Sequence, residues 1–272
     1  MKVYTQHYPV TSFVEKMEHL KHLNFSFFLD CLPESTDQLS PINIWAHQEP
    51  NEYTGYHDWI IKNRNLFSLI LTWNDKIRAN CPQAIFQPFG SSWLSPSQYY
   101  QPKTKEFRVS HVRGNLLRTH GHQLRHEFHE RCFNELRIPW RSWEVAGNRE
   151  IIDTCAMAKC ELFGDAQFGV VMENTSHRGY FTEKIMEMFL LKCIPVYWGC
   201  SNIGDFFISD GIIKFDSVDQ AIFELNKLDD SYYANRIGII EENFSRALKY
   251  IPYEQNVVDT ITSVFQANKL LS

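Results

Sequence analysis

The chain has 272 residues, enough for two modest domains or one large one, and 44% of them are apolar against 22% charged, a globular composition. Its net charge of −5 and the absence of any basic run argue against nucleic acid or an anionic membrane as a partner. No stretch of about 18 apolar residues occurs and the first twenty residues lack a signal-peptide core, so the sequence reads as soluble, unexported and cytoplasmic, with no transmembrane segment. The seven cysteines include no CxxC pair and are expected as reduced thiols, and the NTS sequon at Asn174 is then no glycosylation site.

In chain order, NFSFFLD (24–30), INIWAH (42–47), LFSLILTW (66–73) and AIFQPF (84–89) have the length and apolar continuity of buried strands. GYHDWIIKNR (55–64) between the second and third predicts a short helix. Apolar periodicity is lost over GSSWLSPSQYYQPKTKE (90–106), which reads as a linker. After it come FRVSHV as a strand, GHQLRHEFHERCFNELR as a helix with Leu124, Phe128, Cys132 and Leu136 four apart, and REIIDTCAMAKCELF as a helix. FGVVME, IPVYWG and GIIKFD follow as strands, TEKIMEMFLLK as a helix after the first of them, and helical patterns run to the end. This alternation predicts α/β architecture with parallel sheets. It divides into an N-terminal domain over 1–105 and a C-terminal one over 106–272, with a cleft between two lobes as the expected ligand site.

The chemistry concentrates in ENTSHRGYFTEKI (173–185), where a buried strand gives way to a helix whose expected N-cap is Thr182. Ligands of open parallel sheets bind beyond the carboxyl ends of strands, at such junctions. A carboxylate there would repel a bare phosphate. Glu183 therefore suits vicinal ribose hydroxyls, while Lys184 compensates phosphate charge, and the pair suits a nucleotide sugar. The bland alternative is that Glu183 complements the helix dipole and Lys184 is solvated.

The segment FGVVMENTSHRGYFTEKIMEMFLLKCIPVYWGCSNIGDFF resembles, over about 40 residues, the donor-binding signature of the α-1,3-fucosyltransferase family: E-N-S/T, a spacer, Tyr, one residue, T-E-K, then a P-V strand. The resemblance implies a GT-B fold of two Rossmann-like domains facing a central cleft, GDP-fucose as donor and inversion at the anomeric carbon. It also implies donor contacts from Asn174, Tyr180, Glu183 and Lys184. Upstream, Arg125 best matches the family's arginine facing the diphosphate, with Arg113 as competitor. Glu49, at the turn after INIWAH, is the expected general base, with Glu52 as the alternative, because inverting transfer needs a carboxylate to take the acceptor's proton. Tyr53, Tyr56, His57 and Trp59 form either an acceptor platform or aromatic core, and Gly90 would admit a ligand closely.

No metal is expected. His122, His126 and His129 share a helix but lack the HExxH order, and no D-x-D pair is persuasive, LDD at 228–230 reading as a turn. The co-substrate is a nucleotide sugar, GDP-fucose or a UDP-sugar, and the acceptor a glycan. The other readings are an exostosin-like transferase using a UDP-sugar such as UDP-xylose, and an inactive nucleotide-sugar or carbohydrate-binding protein.

Overall fold

A computed structural model describes residues 1–5, 10–99, 103–144 and 152–268. The chain divides into two compact units, Met1–Phe89 with Pro252–Ser272, and Gly90–Ile251.

In the first unit β1 (Lys2–Thr5), α1 (Val10–Lys16), β2 (Phe25–Leu29) and β3 (Ile42–Ala46) lead to two short helices, α2 (Asn51–Thr54) and α3 (His57–Lys62). β4 (Leu69–Thr72), α4 (Asp75–Asn80) and β5 (Ala84–Phe86) complete its first pass. The second unit holds α5 (Pro96–Tyr99), β6 (Glu106–Arg113), α6 (His120–Glu135), β7 (Trp140–Glu144), α7 (Ile152–Phe163), β8 (Ala166–Met172), α8 (Glu183–Leu190) and β9 (Ile194–Trp198). It ends with β10 (Ile213–Lys214), α9 (Val218–Leu225), α10 (Asp230–Ala234) and α11 (Ile237–Ala247). The last helix, α12 (Tyr253–Ala267), returns to the first unit.

Each unit is built on a five-stranded parallel sheet, in the order β1-β2-β3-β4-β5 in the first and β10-β9-β8-β6-β7 in the second. Strands buried on both faces explain the near-continuous apolar runs that marked them in the sequence. All seven residues of β8 and all five of β2 are buried.

The second sheet reverses its order at β6. From β6 the chain passes through α6 to β7 on one side, then through α7 to β8 on the other. The crevice beyond the carboxyl ends of β6 and β8 is thus a topological switch point, where open α/β sheets bind ligands.

The expected domain boundary at 105/106 is corrected to the Phe89–Gly90 step. Leu94 and Tyr99 of the supposed linker are buried in the apolar core of the second unit, and the Trp93 amide bonds the buried Glu187 carboxylate. Residues 100–102 of that linker lie outside the described residues. The C-terminal end moves as well, because Val257, Val258, Ile261 and Phe265 of α12 are fully buried and Phe265 packs edge-on against Phe25 of β2. Gly90 is no ligand approach either. A Cβ there would lie 2.5 Å from Tyr250 Cβ and 3.3 Å from the Phe181 ring, so it is filled by protein.

Candidate functional site

The β8–α8 junction forms as the sequence predicts. Thr182 is extended and N-caps α8, its hydroxyl oxygen accepting from the Lys184 amide. Beneath it lies Glu173, the first residue past β8 and wholly buried. Its carboxylate accepts from the Thr182 amide at 2.9 Å, the Thr182 hydroxyl at 2.7 Å and the Tyr197 hydroxyl at 3.4 Å. This is the site residue that sequence reasoning missed, although the glutamate opening the E-N-T motif at a strand's carboxyl end was the available signal. Gly199 keeps room for it, since a Cβ there would fall 2.4 Å from Glu173 Cγ.

The Lys184 ammonium lies 3.0 Å from Glu183, 3.2 Å from Thr182 Oγ1 and 3.8 Å from Glu173. Burial works against the charge on Glu183, but the cations of Lys184 and Lys159 and its hydrogen bonds outweigh burial and hold the carboxyl down at about 2. Burial likewise opposes the charge on Lys184, and the Glu183 and Glu173 carboxylates reverse that and raise it. Glu173 differs: burial raises it against the pull of Lys184.

Arg125, in the second turn of α6, crosses from the β6 side of the switch point to the β8 side. Its Nε donates to the Met172 carbonyl at 3.1 Å and its Nη2 to Asn174 Oδ1 at 2.6 Å. The approach is close because residue 121 is glycine. A Cβ there would meet the Glu173 carbonyl oxygen at 1.7 Å, and its amide donates to the Asn174 carbonyl at 3.2 Å. His122 accepts through Nδ1 from the Thr119 amide, closing a capping box, and burial together with the Arg125 and Lys184 cations lowers it to about 4, so the ring is neutral near pH 7.

Arg125, Asn174, Glu183 and Lys184 are thereby brought together at the switch point. Tyr180 is only 1% exposed, its ring packed into the protein rather than displayed. Arg113 ends β6 and turns to β7, donating to Glu144 at 2.5 Å and to His126 Nδ1 at 2.7 Å. Among the described residues no three His, Cys, Asp or Glu side chains gather as a metal site. His126 and His129 have separate partners, His129 on Ser142 and Glu144. LDD is a helix start rather than a turn: Asp229 is extended and N-caps α10, and Asp230 opens it.

In the first unit Glu49 follows β3 and is half-buried, its amide donating to Asp30 Oδ2 at 2.9 Å, while Glu52 on α2 is exposed. His57 is buried edge-on against His47, and Trp59 packs on Phe67. Those two aromatic residues are core rather than an acceptor platform.

No family model matches the chain. A 67-residue segment is 33% identical to the alpha-(1,3)-fucosyltransferase FucT of Helicobacter pylori, a match covering 24% of this chain and 14% of that protein, so most of the relative's length has no counterpart in the match. Among solved structures, an alpha1,3-fucosyltransferase superimposes over 95% of this chain and 90% of its own, with TM-score 0.56 and 13% identity. The same kind of enzyme crystallised with GDP-fucose matches with TM-score 0.54, 12% identity and coverage of 94% and 89%. A glycosyltransferase from Rickettsia africae ESF-5 matches with TM-score 0.51, 8% identity and coverage of 98% and 84%. The chain has the α/β fold of these proteins, two units of the GT-B type. Among the described residues no helix is long and apolar enough to cross a membrane.

Proposed function

We propose that the protein is a glycosyltransferase that moves a sugar, fucose from GDP-fucose, to a hydroxyl of a glycan acceptor with inversion at the anomeric carbon. The observation that carries this reading is the placement of Arg125 and Lys184 at the switch point of the second sheet with the ionised Glu183 beside them. A diphosphate seeks the cations and a ribose presents hydroxyl donors to the carboxylate. A glycan-binding protein has no use for such a pair. The short sequence match to FucT supports fucose in particular.

In this reading the acceptor oxygen attacks the anomeric carbon as its bond to the diphosphate oxygen breaks. Glu49 takes the acceptor proton, and Arg125 and Lys184 stabilise the charge gathering on the leaving group. No metal ion is needed for that stabilisation, since two side-chain cations supply it, and a chelator leaves turnover unchanged.

Thermal shift against GDP, UDP and their sugars tests the donor, because a ligand that binds only the folded chain raises its melting temperature. GDP and GDP-fucose are expected to shift it, and a shift by UDP-sugars alone would replace fucose with the exostosin-like reading. Glu49→Gln tests the base. Donor binding stays near normal while transfer falls by roughly 10²–10⁴-fold. Wild-type turnover in that variant would remove Glu49 from the role.

A further inference from the structure

Asp30 lies at the end of β2 and carries two unfavourable features that its local sequence does not demand. Its φ is +48°, the left-handed region that non-glycine residues avoid. Its carboxyl group is 0% exposed, and none of the ion pairs among the described residues involves it. Burial with no cation beside it pushes the carboxyl up to about 8, and such a cost persists where something else requires it.

Its two oxygens have two partners. Oδ1 accepts from the Gln48 amide at 2.8 Å and Oδ2 from the Glu49 amide at 2.9 Å. The loop is also held from the side of β4: the His47 amide donates to the Leu71 carbonyl at 2.9 Å, and Trp73 Nε1 donates to the Gln48 carbonyl at 2.9 Å. Pro50 follows with φ −69°, set by its ring. The amides of His47, Gln48 and Glu49 and the Gln48 carbonyl are therefore all held, which sets the place from which the half-buried Glu49 side chain departs. Asp30 in turn is seated by its own amide on the Ala46 carbonyl at 3.0 Å. Left-handed backbone is what lets a residue at a strand end bring its short carboxylate under the two amides of the neighbouring strand's exit loop.

We propose that Asp30 is a positioning residue, fixing the backbone of Gln48 and Glu49 so that the Glu49 carboxylate meets the acceptor hydroxyl in one orientation. The inference rests on Glu49 as general base. A misplaced base costs turnover and leaves the donor grip of Arg125 and Lys184 untouched, so the effect falls on kcat.

The test uses the full chain and GDP release from GDP-fucose, with water as acceptor, in four variants: Asp30→Asn, Asp30→Gly, Glu49→Gln and the Asp30→Gly/Glu49→Gln double. Asparagine and glycine both tolerate positive φ, so neither adds backbone strain. Asparagine keeps one acceptor and glycine none. The expected result is a kcat loss of roughly tenfold for Asp30→Asn and roughly a hundredfold for Asp30→Gly, with KM for GDP-fucose within about twofold of wild type. Adding Asp30→Gly to Glu49→Gln should cost nothing further, since a positioner has no effect once its base is gone. Retained kcat in Asp30→Gly, with kcat lost in Glu49→Gln, overturns the inference while the base stands. Further loss in the double variant overturns it by showing that Asp30 acts elsewhere. Loss of the GDP-induced thermal shift in both single Asp30 variants makes Asp30 a folding residue and overturns it too. Wild-type turnover in Glu49→Gln removes the base itself, and the inference with it.

Discussion

Replacing Lys184 by methionine removes one charge and keeps the shape of the stem, and its cost can be worked from the geometry. Glu183 is held near 2 instead of its ordinary 4.5, and its side chain is only 15% exposed. That depression corresponds to about 3 kcal/mol of stability at neutral pH. Burial opposes it, and Lys184 at 3.0 Å is the largest favourable contributor, ahead of Lys159. Loss of Lys184 should therefore destabilise the second unit by roughly 2 kcal/mol, lowering its melting temperature by about 4–8 °C. The pH dependence identifies the cause. Glu183 contributes fully above its unfolded value and loses its contribution as pH falls from 4.5 through 2, so the deficit of Lys184→Met should shrink to roughly three-fifths of its neutral value by pH 3. Calorimetry of both chains at pH 7 and pH 3 measures this, and added GDP should raise the transition of the wild type only. An unchanged transition at pH 7, or a deficit undiminished at pH 3, would refute the account of Lys184 as the counterion of Glu183.

Gly121→Ala should be severe for one methyl group. The new Cβ meets backbone oxygens of Glu173 and Asn174 at 1.7 and 2.9 Å, which cannot swing aside. A stability loss of roughly 2–3 kcal/mol by denaturant titration is expected, together with weaker GDP binding, and a neutral outcome would contradict the contact of α6 with the β8 exit. Arg125→Lys keeps the charge but cannot span both the Met172 carbonyl and Asn174 Oδ1. GDP affinity by calorimetric titration should fall by roughly tenfold or more, and equal affinity would mean that charge alone suffices.

Much of the fold was legible because its strands are buried on both faces and so appear as short apolar runs. The edges were not. β1 is half-exposed with mixed character, and β7, W-R-S-W-E, buries none of its residues fully, so neither has an apolar run. The return of α12 to the first unit was invisible for another reason: its apolar stripe declares that it packs, not on what. At the site, the strand-to-helix junction and its Thr182 cap followed from local chemistry. Glu173 and Asp30 did not, because each acts through backbone amides contributed from elsewhere in the chain, a relation that spacing does not encode. Tyr180, a motif position expected at the donor, is 1% exposed, a burial that its place in the motif did not announce.

Cations and acids face each other before any ligand enters: Arg125 and Lys184 stand against the ionised Glu183 and the buried Glu173, whose charge burial opposes, with His122 neutral among them. Net attraction for an anion is accordingly modest, and arrangement has to supply what excess charge does not. Glu183, ionised at neutral pH, can only accept hydrogen bonds and repels a phosphate. Arg125 can only donate. An acceptor-only group and a donor-only group at one switch point admit a ligand that carries hydroxyls at one end of its linkage and phosphate oxygens at the other, in a single direction. Direction would matter for the proposed transfer because the anomeric carbon has to stay open to the acceptor while the cations hold the diphosphate that leaves. This polarity rests on the ion pair of Lys184 and Glu183, which is why a substitution that removes one positive charge is expected to disturb folding and donor binding through the same contact.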